Sequence, residues 1–354
     1  LGEGEITFRE LVSRIEGDGR LSDVRGLLLN TGEGFMETGI RELEKNIDPL
    51  RPFREISKKY RKAYYFGFES PVAMVETTRG CPYRCTFCSV HKFFRGKVRM
   101  KSPEGVVEEL MDLPEEAVFF SDDNFFINPE RSIRLAELIK REGIRKRFYI
   151  QARSDTIVRH PELVRAWAEV GLKGVFIGFE RPDDEGLSEL KKQNKARNNE
   201  LAVQIIRAAG VGPTGTFIIE PEETREGFRR ILAYAKKLGL RSCGFTVLTP
   251  LPGTELFEKV KDKITSFNWD LYDCLHAVLP TKLPLNEFYE ELSKLYKAFF
   301  ETSVSGMESV RNALKMLREG RASIALVKKL MRAAKMLINP ECYLEGHASC
   351  GGHR

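Results

Sequence analysis

The sequence is short of what a secreted or membrane-spanning protein needs. It has only 7 cysteines in 354 residues, an odd number, and none before residue 81. A secreted disulfide framework is thereby excluded, and a reducing compartment, the cytoplasm, is expected. No apolar run approaches the 18 residues of a spanning helix, and no signal peptide opens the chain. There is no repeat period, no low-complexity segment and no basic tail. The net charge of +6 is spread along the chain, so an acidic partner is allowed but nucleic acid is not expected. A 42% hydrophobic share over this length is ample for a large core.

Three of the few cysteines are crowded into one stretch. Glu76–Ser89 reads ETTRGCPYRCTFCS and places Cys81, Cys85 and Cys88 in a C-x3-C-x2-C pattern. An extended apolar run, Val72–Val75, leads into it, and Gly80 and Pro82 break that run. The cysteines therefore belong on a loop at the carboxyl end of a strand. Three thiolates close in sequence converge on a soft metal centre. Zinc, and each iron of an iron–sulfur cluster, wants four ligands, so three cysteines leave one position open for chemistry. The alternatives are a zinc site with a distant fourth ligand, making a non-catalytic metal-binding module, or three unrelated core cysteines.

From residue 71 strands and helices alternate, the pattern of parallel strands joined by crossover helices. Strands are expected at 72–77, 117–121, 148–153, 174–180, 215–220 and 244–248. Helices start at Ser102-Pro103, near Pro129, at Pro161, near Glu200 and at Thr224, where cap residues or a first-turn proline signal them. Six such units predict an α/β fold, a partial (β/α)6 barrel over 71–284. A helical C-terminal region follows over 285–354, with helices near 286–302, 307–318 and 321–338. Its aliphatic stripes are expected to pack across the open side of the barrel. Residues 1–20 read as a turn and an amphipathic helix with Ile6, Phe8, Leu11, Val12 and Ile15 on its apolar face. Residues 24–29 read as a short strand and 31–70 as a linker. In such barrels functional groups follow the carboxyl ends of the strands, and here Asp122, Asp123, Glu180, Glu220 and Thr249 do so. Gln151 and Arg153 alternate with apolar neighbours on the third strand, which points both into the lumen. Cys243 and Cys274 read as small buried hydrophobes. In the tail, Cys342, His347, Cys350 and His353 have a spacing that could hold zinc or support a cluster.

The cysteine spacing, with Phe87 before the third cysteine, resembles that of the radical S-adenosylmethionine (SAM) enzymes. GEGEITFRELV, SDDNFF, IQARSD, GFERPDDEGL, LTPLPGTELF and LHAVLPTKLP narrow the resemblance to the cobalamin-dependent class. Within it they point to the lineages that methylate hopanoid carbon 3 or a glutamine of methyl-coenzyme M reductase. The resemblance covers residues 2 to about 300. It implies a [4Fe-4S] cluster on Cys81, Cys85 and Cys88, whose open iron binds SAM. It implies SAM contacts at Phe87, Asp122, Gln151, Arg153, Glu180, Gly215 and Thr249. Glu180 would take the ribose hydroxyls, Asp122 or Asp123 the amino group, and Gly215 would let the backbone approach adenine. Arg153 would pair with the SAM carboxylate or with Glu180 or Asp122. The class also implies cobalamin, held mainly by a Rossmann-like domain preceding Leu1, of which residues 1–30 would be the remnant. The chain opens on Leu1, not Met, and reads as part of a longer protein. The implied activity is methylation of an unactivated carbon of a lipid or protein substrate, with electrons from a flavodoxin- or ferredoxin-type donor. Membrane contact is compatible with a lipid substrate but nothing in the sequence supports it. A radical cyclase or ring-rearranging enzyme of the same class is the alternative. A methylthiotransferase acting on RNA would need three more cysteines near the N-terminus, where residues 1–70 have none.

Overall fold

The computed structural model describes residues 1–67, 69–304, 317, 318 and 323–349. Six strands form one sheet: β1 (Val72–Val75), β2 (Ala117–Phe120), β3 (Arg147–Gln151), β4 (Leu172–Glu180), β5 (Gly212–Ile219) and β6 (Cys243–Val247). They neighbour one another in chain order and all pair in parallel. β1 and β6 are the two edges. The sheet is thus the open (β/α)6 arrangement that the alternation predicts.

Helices Pro103–Met111, Pro129–Arg141, Pro161–Glu169, Ala196–Ala208 and Arg225–Lys237 form the outer layer. Three of their starts are capped by side chains. Ser102 accepts from Gly105 N, Asn128 from Arg131 N and Thr224 from Gly227 N, each cap contributing about 1 kcal/mol. The strands alternate. On β4, Val175, Ile177 and Phe179 are fully buried under the helices, while Phe176, Gly178 and Glu180 face the lumen. Trp167 anchors the outer layer. It meets Phe120, Phe125 and Phe148 edge-on and donates its indole N–H to Ser132.

The two ends of the lumen differ. At the amino end of the strands, Phe66 stacks on Phe119 and leans on Tyr149, while Glu69 accepts from the Tyr149 hydroxyl. This segment lies within the region expected to be a linker, and it plugs the barrel floor. The opposite end is open and holds the cysteine loop. At the β6 edge, Tyr296 of helix Leu285–Val304 donates its hydroxyl to Phe245 O and accepts from Phe245 N. One side chain thereby satisfies a backbone pair that an edge strand would leave exposed.

Several details depart from expectation. β1 ends at Val75, and Thr78–Arg79 turns away to pair antiparallel with Arg99–Met100. The N-terminal strand is Leu28–Asn30, paired with Phe35–Glu37. The helix Glu5–Glu16 buries only Thr7, and Phe8 and Ile15 of its apolar stripe are exposed. Helix Ile324–Leu337 falls where the third C-terminal helix is expected, and an unexpected helix, Pro340–Ser349, follows it. The latter is held by Tyr343 stacked on Tyr289 at 4.9 Å. It carries Cys342 and His347, whereas Cys350 and His353 lie outside the described residues. The helix expected over 307–318 also lies outside them, apart from 317 and 318. Among the described residues no helix is long and apolar enough to cross a membrane.

Candidate active site

The short pair Thr78–Arg79 with Arg99–Met100 closes a loop that carries all three cysteines. Gly80, at φ +95°, starts it; a Cβ there would lie 2.1 Å from the Lys97 carbonyl oxygen. Only glycine permits that approach. Asp122, at the end of β2 and wholly buried, clamps the base of the loop. It accepts from Thr77 N and Thr77 Oγ1 at 2.6 Å each, and from Thr78 N at 3.1 Å. Burial pushes its pKa up to about 6 in spite of those bonds. Arg79 and Arg99 stand directly opposite each other in the pair, a like-charge contact that would open it. Glu3 bridges them, taking Arg79 at 2.9 Å and Arg99 at 2.8 Å, and Glu5 and Glu76 also hold Arg79.

Cys85 is buried, and Cys81 and Cys88 are half-buried. Burial raises all three thiol pKa values, that of Cys88 to about 11. The thiols lie close enough to act on one another. Cys85 raises Cys81, and Cys85 and Cys81 raise Cys88. Lys192 and Arg153 oppose this at Cys85 by favouring its thiolate. Among the described residues no three His, Cys, Asp or Glu side chains gather around a single-ion position. Three thiols of one loop, beside two cations, suit a cluster in which each iron takes one thiolate.

The loop faces a cavity of about 290 Å3 enclosed by Phe87 and the carboxyl ends of β3 to β6. Glu180 closes β4 with a backbone φ of +60°, just past a register shift between Gly178 and Glu180. A non-glycine residue in that region is strained, and such strain gathers at functional sites. The bulge brings the Glu180 carboxylate into the lumen, where it accepts from Lys192 Nζ at 2.6 Å. Gly178 makes room; a Cβ there would sit 2.2 Å from Glu180 Oε1. Burial works hardest against the Lys192 charge, yet Glu180 and Cys85 hold its pKa above the ordinary value. Arg153 is held on three sides. It donates to Asp155 at 2.9 Å and to the Lys192 carbonyl at 2.7 Å, and its guanidinium lies 3.6 Å from the centre of the Tyr83 ring. Asp123 lines the cavity. Burial raises its pKa, and a hydrogen bond from the Gly80 backbone partly offsets this.

Of the residues singled out from the sequence, Phe87, Gln151, Arg153, Glu180 and Thr249 line this one cavity. Asp122 does not; it stands behind the loop as its clamp, and its neighbour Asp123 is the aspartate on the cavity wall. Arg153 pairs with Asp155, not with Glu180 or Asp122. Gly215 faces the outer layer. A Cβ there would lie 1.9 Å from Ile177 O and 2.7 Å from the Phe179 ring, so it is a close-packing glycine, and Thr216 lines the cavity. Cys243 is buried, but Cys274 reaches the cavity wall. Lys192 was missed. It sits in a polar run with no periodic signal, turned inward between Lys191 and Gln193, both at positive φ. Thr216 was legible from alternation along β5, one residue past the glycine.

A protein-family model described as the Radical SAM superfamily matches residues 75–235. The hopanoid C-3 methylase of Methylococcus capsulatus is 33% identical over 348 residues, covering 98% of this chain and 66% of that protein. The solved cobalamin-dependent S-adenosylmethionine radical enzyme OxsB, with aqua-cobalamin and S-adenosylmethionine bound, has a similar fold. Its TM-score is 0.65 at 16% identity, over 90% of this chain and 54% of that one. The radical S-adenosylmethionine methyltransferase TsrM of Kitasatospora setae gives a TM-score of 0.63 at 20% identity, over 74% and 53%. The chain spans about two thirds of the length of the first curated relatives it matches and just over half of these two solved chains. With the cysteine loop set over the cavity at the carboxyl ends of its six-stranded parallel sheet, the chain belongs to the radical SAM superfamily.

Proposed function

We propose that this chain is the radical-generating part of a cobalamin-dependent C-methyltransferase that acts on an unactivated carbon. The observation that carries the reading is the three-thiol loop opening onto a cavity lined by both carboxylates and cations. Cys81, Cys85 and Cys88 would hold a [4Fe-4S] cluster, and SAM would fill the cavity. The cluster, when bound, would supply the low-potential electron for reductive cleavage of SAM, the chemistry that opens an unactivated C–H bond.

The chain's own residues bind and orient. Glu180, fixed by Lys192, offers a carboxylate suited to two ribose hydroxyls. Asp123 offers a carboxylate to an ammonium group. Lys192 supplies the buried cation for a carboxylate. Arg153, held by Asp155 and two backbone carbonyls, keeps positive charge beside Cys85. Phe87, Ile218, Leu248 and Leu251 give the apolar walls that exclude water. No residue of this chain is assigned to cobalt. Cobalamin enters the proposal through the fold shared with OxsB and TsrM, both solved with cobalamin bound, and no step is derived through it. A reducing, cytoplasmic setting and an external one-electron donor belong to the same reading.

The test is anaerobic turnover of reconstituted protein with SAM, cobalamin, a reductant and candidate lipid or peptide substrates. 5′-Deoxyadenosine, S-adenosylhomocysteine and a methylated product together support the proposal. Deoxyadenosine with a cyclised or rearranged product and no methyl transfer would refute the methylase reading in favour of a radical cyclase.

A further inference from the structure

We infer that Arg181 and Glu223 are positioning residues for SAM: their buried ion pair locks the strained turn that carries the Glu180 carboxylate into the cavity. The inference rests on the SAM reading above and adds what keeps its ribose-binding acid in place. Arg181 N donates to Phe179 O at 2.8 Å across Glu180, whose φ is +60°. A bond from residue i+2 back to residue i, around a central residue of positive φ, is a γ-turn of the rare, strained kind. Such a turn persists only where its surroundings hold it.

Two contacts hold the turn on its own side. Asn199 Nδ2 donates to Phe179 O at 3.3 Å, and Lys192 donates to the Glu180 carboxylate. Neither fixes the backbone that follows Glu180; Arg181 does. Its side chain is buried and reaches across to β5, where the guanidinium donates to Ile218 O at 3.2 Å and to Glu223 at 3.0 Å. Ile219 O accepts from Leu248 N on the β6 side, so Ile218 O faces the β4 side. There β4 has ended, its last pairing being Glu180 with Phe217. Arg181 thus supplies the donor that the ladder lacks, and it ties the turn to Ile218, a residue of the cavity wall.

The pair is enclosed between the first turns of two helices. Glu223 is buried against helix Arg225–Lys237, where a Cβ on Gly227 would sit 1.5 Å from its Oε1. The positive end of that helix favours a carboxylate. On the other side, a Cβ on Gly186 in helix Asp184–Glu189 would lie 2.8 Å from Arg181 Nε. Without the pair, the strand end relaxes towards ordinary extended geometry and no longer aims Glu180 at the ligand. SAM then binds only the fraction of molecules in which the turn is formed, and its apparent affinity falls by that fraction.

The experiment is SAM titration of the anaerobically reconstituted, reduced protein, read as the SAM-dependent change in its EPR signal, with thermal melts and iron content of the same samples. Arg181 also acts on the half-buried Glu220, a second acid that could replace Glu223, so both partners are changed together. Arg181→Met with Glu223→Leu exchanges a buried ion pair for an apolar one, a change that often leaves folding intact. A merely structural pair predicts unchanged SAM affinity in that variant. The positioning role predicts a Kd about 10- to 100-fold weaker, with iron content and melting temperature near wild type. Arg181→Lys keeps the charge but not the fork that serves Ile218 O and Glu223 at once. Its affinity should fall between the two, and it tests the same point if the double variant folds poorly. In a Glu180→Gln background the double replacement should cost little further affinity, because both changes act on one contact. The inference is overturned by wild-type affinity in the folded double variant, or in Arg181→Lys where the double variant does not fold. Unchanged affinity in Glu180→Gln, or losses that simply add to its own, would overturn it too. A wild-type protein that forms its cluster but shows no SAM-dependent change would instead sink the SAM reading itself.

Discussion

Replacing Asp122 by asparagine should stabilise the protein at neutral pH, which is unusual for a wholly buried residue with three hydrogen-bond donors around it. The folded pKa is about 6 against an ordinary 3.8, because burial penalises the charge more than the Thr77 and Thr78 bonds favour it. A folded pKa raised in this way gives stability that is fully present below pH 3.8 and lost as pH rises through 6. The full loss is about 3 kcal/mol. Asparagine resembles the neutral acid. Its Oδ1 can still take Thr77 N and Thr78 N, and its amide can donate to the Thr77 hydroxyl. The advantage of Asp122→Asn over wild type should therefore widen by about 2 kcal/mol between about pH 4.5 and pH 7.5. Denaturant titration of the metal-free protein across that window measures it. Asp122→Leu supplies no acceptor, strands two buried backbone N–H groups, and should cost roughly 2–5 kcal/mol at every pH. An Asn-minus-wild-type difference that stays flat or narrows as pH rises would refute the reasoning. The charge–hydrogen-bond clamp would then outweigh burial, and the folded pKa of Asp122 would not lie above its ordinary value.

Two further substitutions probe the cavity and its wall. Lys192→Met leaves the Glu180 carboxylate buried without its cation and should destabilise by about 3–5 kcal/mol. Lys192→Arg should recover most of that loss in thermal melts. Gly215→Ala drives a methyl to within 1.9 Å of the Ile177 carbonyl. It should lower the melting temperature by several degrees for a cost of about 1–3 kcal/mol, through misfit of β5 against β4. Thr216→Val, by contrast, should weaken SAM binding more than folding.

The barrel was legible because its signals are local. Alternation along β4, first-turn prolines at Pro103, Pro129 and Pro161, and a cap at Thr224 each act within a few residues. The cysteine loop was legible for the same reason. Functional contacts made by distant chain segments were not. Lys192 reaches Glu180 only because two positive-φ residues flank it. Asp122 and Asp123 are adjacent and chemically identical, so only the pleat at the end of β2 decides which one clamps Thr77 and which one faces the cavity. Gly215 illustrates a related limit. A glycine on a strand signals a close approach, but the sequence does not say on which face, and here the approach is to Ile177 and Phe179 in the outer layer. Phe8 and Ile15 have the spacing of a buried stripe yet are exposed, since periodicity marks an apolar face without naming what covers it.

The central claim is that Cys81, Cys85 and Cys88 hold a cluster that cleaves SAM bound in the adjoining cavity. The most direct measurement is anaerobic iron–sulfur reconstitution, followed by EPR of the reduced protein with and without SAM and an assay for 5′-deoxyadenosine. The account predicts about four irons per chain, an EPR signal that changes when SAM is added, and deoxyadenosine from wild type and Cys243→Ala but not from Cys85→Ala. Bound zinc without iron, or SAM cleavage that survives in Cys85→Ala, would contradict it.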